Sequence, residues 1–143
     1  MRKNLVYVFV MILVFFDGAR GSNTQTTCAV SPTVHATAPS DPGVDPLSGD
    51  WYMNADRSVW AMHYDRWRAG IGSKVPWIRP AGVRLVLTGR RLDGPAPPLW
   101  AQIPGVYDSA FQATGMKFPV AGCWQVTGRA GNKKLSYVLQ VEP

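Results

Sequence analysis

Apolar and polar positions along this chain alternate in short runs, and glycine or proline ends nearly every run. The clearest case is Val83 to Thr88, where Val83, Leu85 and Leu87 fall on one face and Arg84, Val86 and Thr88 on the other. That spacing of two predicts a strand. The last 26 residues, Phe118 to Pro143, predict a hairpin. Trp124 and Val126 share one face of its first strand, while Leu135, Tyr137, Leu139 and Val141 mark the second. Gly128 to Asn132 lie between them as turn material. Further strands are expected at Ser58 to Met62, Lys74 to Pro80 and Leu99 to Ile103, with Tyr107 to Met116 extended. Cys28 to Val34 has strand-like residues around Pro32 and is expected as an edge or an irregular extended segment, and Trp51 to Met53 is a short aromatic run. The prolines at 76 and 80 predict an edge or bulged strand there. No run after residue 21 repeats at 3.6 residues. About seven short strands punctuated by Gly and Pro predict an all-β sandwich.

His35 to Asp50 holds Pro39, Pro42, Pro46, Gly43 and Gly49, and is expected as an extended connection with no regular element. Asp65 to Ser73, with Gly70 and Gly72, is expected as a mobile loop. Gly89 to Gly94 is expected as a charged turn.

The first 21 residues change the picture of where the protein works. Met1-Arg2-Lys3 is a positive head, and Leu5 to Phe16 is apolar apart from Tyr7. Ala19-Arg20-Gly21 supplies small residues at a cleavage site. This predicts a secretory signal peptide over residues 1–21. The apolar run is about 12 residues, short of the roughly 20 that span a bilayer. The expected organisation is then a polar, proline-rich segment over 22–50 that carries Cys28, and a sandwich core over 51–143. Lipid attachment at Cys28 is the weaker alternative, because polar residues separate Cys28 from the apolar run.

The chain has 15 basic and 9 acidic residues. The leader holds three of the former and one of the latter, which leaves the mature chain at net +4. These charges are scattered, which argues against a nucleic-acid partner. Two cysteines in an exported chain suggest a bridge between Cys28 and Cys123. It would close a 96-residue loop. Cys123 shares its strand face with Gln125 and Thr127, opposite Trp124, so the bridge is expected on the outer face.

The residues raise four candidate chemistries. Of six tryptophans, Trp60, Trp100 and Trp124 sit in clean strands and are expected to be structural. Trp67, in the loop, is the leading candidate for stacking on a sugar ring, with Trp51 and Trp77 beside it. Arg90 and Arg91 are candidates for meeting an acidic partner. Met62-His63, with Met53, Met116 and His35, raises a soft copper site in an oxidising compartment, but adjacent strand residues point to opposite faces. No Gly-x-Ser-x-Gly elbow and no paired carboxylates are found, so no catalytic residue, metal ligand or cofactor is assigned.

Two stretches carry a resemblance. Gly89-Arg90-Arg91-Leu92-Asp93-Gly94 with the prolines that follow, and Phe118-Pro119 through Gly122-Cys123-Trp124-Gln125-Val126-Thr127-Gly128, resemble a group of uncharacterised bacterial exported proteins. Cys28-Ala29-Val30-Ser31-Pro32 and Lys74-Val75-Pro76-Trp77-Ile78-Arg79 resemble further segments of that group. Ala29 stands here where those proteins have proline, and Gln125 where they have an acidic residue. The resemblance implies an immunoglobulin-like sandwich of the cell envelope and no activity. The functional expectation is a non-catalytic, secreted or periplasmic binding module whose partner is a cell-surface glycan or another envelope protein. A periplasmic copper-handling protein and a small envelope enzyme are the alternatives.

Overall fold

A computed structural model describes residues 27–42 and 45–143; the expected signal peptide lies outside them. Among the described residues there are nine strands and no helix. They are β1 (Val34–Thr37), β2 (Ser48–Met53), β3 (Trp60–Met62), β4 (Gly72–Ile78), β5 (Leu85–Arg91), β6 (Trp100–Gln102), β7 (Phe111–Lys117), β8 (Gly122–Ala130) and β9 (Lys133–Val141). They form two antiparallel sheets, one in the order β1-β2-β3-β4-β7-β6 and one in the order β5-β8-β9.

Without the first hairpin, the orders β3-β4-β7-β6 and β5-β8-β9 are those of the seven-stranded immunoglobulin sandwich, with β3 to β9 as its strands in chain order. The fold is therefore an immunoglobulin-like β-sandwich whose first strand has been extended by two more. Those two overturn the expectation of an irregular 35–50 segment. Val34 pairs with Trp51 and Thr37 with Ser48, which makes β1 and β2 a hairpin on the edge of the larger sheet. The prolines that argued against strands there sit in its connection, where they cost nothing.

Aromatic residues from both sheets meet in the core. Tyr52 and Tyr137 stack across it, Trp77 lies beside Tyr137, and Phe118 contacts both Trp67 and Trp124 edge-on. Gly128 lets Trp77 reach this depth, because a Cβ there would come 2.4 Å from Cζ3 of the indole. On the other face of the larger sheet Trp51, Trp60 and Ile78 form a second apolar cluster, into which Ala38 folds back.

The closing hairpin has a tighter turn than expected. Pairing continues to Ala130 opposite Lys133, leaving only Gly131 and Asn132 in the turn. Gly131 adopts φ 60, which glycine tolerates at the first position of a type II′ turn. Strand β4 is not a sheet edge, since it lies between β3 and β7. The β3 ladder stops at Ala61 opposite Trp77, so Pro76 falls where only β7 remains beside it.

Cys28 and Cys123 are disulfide-bonded, with Cα atoms 5.4 Å apart. Cys123 lies on the outer side of β8, as the alternation predicts, and the bridge brings residues 28–31 across it. Ser31 then trades hydrogen bonds with Val138 at the free side of β9, donating its N–H to the Val138 carbonyl and accepting the Val138 N–H at Oγ.

Arg79 fixes the connection before β7. Its guanidinium is buried and donates to the carbonyls of Tyr107 and Ser109 and to Gln112 Oε1. Desolvation lowers its pKa from the ordinary arginine value, and nearby Asp108 works in the other direction.

Candidate functional site

Strand β6 is only three residues long, and its alternation decides which side chains are free. Ala101 packs toward the core, so Trp100 and Gln102 turn outward. Trp100 is 49% exposed, whereas the other five tryptophans are buried. Among the described residues it is the one large aromatic side chain that is exposed.

The register builds a shallow site around it. Trp100 faces Lys117 on β7, and Lys117 faces Gly72 on β4. In the next row Gln102 faces Gly115, which faces Lys74. The small residues of β4 and β7 keep the floor low. The taller Trp100, Lys117, Lys74 and Gln102 stand around it. Beside the indole, on the Gln102 side, lies a hollow of 280 Å³ lined by Lys74, Gln102, Pro104, Tyr107, Ala113 and Gly115; Trp100 and Lys117 stand outside it. The indole of Trp100 leans across Gly115, with Cζ3 3.6 Å from where a Cβ would stand. Lys117 Nζ lies 5.5 Å from the indole centroid, a cation–π contact that steadies the ring. Arg79 holds Tyr107 in place by the carbonyl bond already described.

This arrangement can take a hydroxyl-rich ring. The apolar C–H face of a sugar packs on an indole, whose π-cloud meets its slightly positive hydrogens. Gln102 can donate and accept, the Tyr107 hydroxyl can do either, and the two ammonium groups donate. A concave site with few, convergent polar groups suits a small ligand or one unit of a chain.

The structure corrects the residues expected to do this. Trp67 is not on a mobile loop: it is 4% exposed and packs edge-on against Phe118 and Tyr64. Its backbone is tied down as well. Glu142 N–H donates to the Trp67 carbonyl, Ala69 N–H donates to the Glu142 carbonyl, and Gly70 N–H donates to Phe118. Trp77 is enclosed in the main core, and Trp51 in the outer cluster with Nε1 donating to the Ala36 carbonyl. None of the three can stack on a ligand from solvent. Trp100, expected to be structural, is the exposed one.

Arg90 and Arg91 are strand residues, not turn residues, because β5 pairs with β8 as far as Arg91 opposite Trp124. They also part company. Arg91 bonds Asp93 at 2.8 Å. Desolvation resists the charge on Asp93, but the Cys123 N–H and Arg91 outweigh it and lower its pKa. Arg90 points outward, with Nε donating to Gln125.

The methionines and histidines raised for copper are dispersed. Met116 is in the main core, while Met53 and Met62 pack against the outer cluster. His63 bonds the Tyr52 hydroxyl, and His35 bonds Asp50. Among the described residues no three of His, Cys, Asp and Glu group as metal ligands would, and no helix is long and apolar enough to cross a membrane. No family model, curated protein or solved structure matches this chain.

Proposed function

We propose that this protein is an exported, non-catalytic binding module of the bacterial cell envelope, related to the exported proteins whose closing motif it shares, and that it binds a glycan on the face around Trp100. The observation that carries the reading is the half-exposed indole lying over Gly115, with Gln102, Lys74 and Lys117 around it. An indole has an apolar face on which a sugar ring can pack, and the amide and ammonium groups beside this one can hydrogen-bond the ring's hydroxyls. Export is supported by the leader-like start of the sequence and by the disulfide, since such bonds persist in oxidising compartments. The shared motif has a physical basis here too. Gly122 adopts φ 138, Cys123 forms the bridge, and Trp124 is buried with Nε1 donating to the Val120 carbonyl.

Tryptophan fluorescence tests the reading, because one of six indoles is open to solvent. Acrylamide should quench a single exposed component, and that component should vanish in Trp100→Phe. Among a panel of soluble cell-wall polysaccharides, at least one should shield the wild-type indole from acrylamide. If none shields it, the glycan reading fails.

A further inference from the structure

The outer face of β5, β8 and β9 lies on the opposite side of the sandwich and has a chemistry of its own. Its register sets side chains in rows. Val86, Arg129 and Lys134 face one another across the three strands, then Thr88, Thr127 and Ser136, then Arg90, Gln125 and Val138. The middle row is one of hydroxyls, and Thr127 and Ser136 share a hydrogen bond of 2.8 Å. Arg90, Arg129 and Lys134 are exposed. The three strands carry no aspartate or glutamate. Glu142 comes just after β9, at the disulfide end of the face. Position 125, acidic in the resembling proteins, is here a neutral glutamine. A groove of 270 Å³ runs between Arg90 and Arg129 over Thr88 and Thr127. Arg129 stands four residues along β8 from Arg90's partner Gln125, which separates the two arginines by about 13 Å along the strands.

The geometry points to this face as a docking site for an anionic polysaccharide, a site independent of Trp100. Positive groups with no carboxylate among them favour an anionic occupant. Each guanidinium presents a fork that fits a sulfate or carboxylate. Backbone positions set that far apart along one groove suit a polymer, which can engage both arginines at successive groups along its chain. Between them lie hydroxyls and an amide, which donate and accept at once. That mixture matches a chain that alternates hydroxyl and anionic groups.

Binding of dextran sulfate to the purified protein tests this, with unsulfated dextran and polyglutamate as comparators. Dextran sulfate should bind, and raising salt should weaken it because the contacts are exposed. The double variant Arg90→Gln, Arg129→Gln should lose about tenfold or more in affinity with its melting temperature unchanged, since both side chains are on the surface. Trp100→Ala should bind dextran sulfate as the wild type does, which separates this site from the one above. The proposal is overturned if the double variant binds dextran sulfate like the wild type. It is also overturned if unsulfated dextran binds as tightly, or if polyglutamate binds more tightly through the same arginines, which would make the partner an acidic peptide.

Discussion

Tyr52 of β2 and Tyr137 of β9 stack face to face across the sandwich, with ring centroids 4.0 Å apart and planes 10° from parallel. The contact joins the added N-terminal hairpin to the last strand of the smaller sheet. Both hydroxyls are affected by it. Desolvation pushes the Tyr52 pKa up to about 12. Tyr137, fully enclosed, is raised further by desolvation and then by its neighbour Tyr52.

Stability should therefore fall at alkaline pH. A tyrosine whose folded pKa is raised contributes stability that is complete below its unfolded value near 10. That contribution is lost as pH climbs from there toward 12, at about 1.4 kcal/mol per pH unit for each tyrosine. Urea denaturation at steps between neutral and strongly alkaline pH should show the slope, and Tyr137→Phe should flatten it. An unchanged slope in that variant would mean the ring is not protected as described.

Trp67→Ala should destabilise by about 3–5 kcal/mol, the cost of emptying a large aromatic site in a packed core. The same variant should retain any glycan binding that survives at a temperature where it is folded. Loss of binding with unaltered stability would return Trp67 to the surface.

Gly128→Ala should also destabilise, by about 1–3 kcal/mol, because the new methyl group meets the Trp77 ring and neither can withdraw without moving β8 or β4. A thermal melt of this variant equal to the wild type would contradict the packing.

Replacing both cysteines by serine should cost about 2–5 kcal/mol. Its local effect should be narrow. Only the Ser31 bonds to Val138 would then hold residues 28–31, whereas β1 keeps its pairing with β2. Limited proteolysis of the variant should cut before Val34 and spare the β1–β2 hairpin. Cleavage throughout residues 34–50 would show that the hairpin depends on the bridge.

Much of the sandwich was legible because its strands are half-buried and alternate. Leu85 and Leu87, or Leu135, Tyr137, Leu139 and Val141, mark a core face with no help from tertiary context. The cysteine pair followed from the count of two in a chain with a leader-like start, and its outer placement from the same alternation. Strands β1 and β2 were hidden because β1 is short and mostly polar, and because the proline-rich stretch between them suggested irregular chain. Trp67 was misplaced because its segment is held by three backbone bonds to Phe118 and Glu142, and such bonds leave no trace in side-chain pattern. Trp100 had a signal that was passed over. It shares its strand face with Gln102 and is separated from it by Ala101, so the polar member of the pair marked the solvent side. Arg90 and Arg91 seemed a turn because glycines flank them, yet Gly89 is paired within β5.

Trp100 is the centre of the proposed glycan site, and a glycan array tests that role most directly. The wild-type protein, Trp100→Ala and Gly115→Leu should be applied side by side after their melting temperatures are compared. Gly115→Leu puts a side chain where the indole now leans, which displaces the ring without removing it. The prediction is that the wild type retains a defined subset of glycans, while both variants, folded normally, retain none of them. A blank array for the wild type, or an unchanged set of glycans for Trp100→Ala, would contradict it.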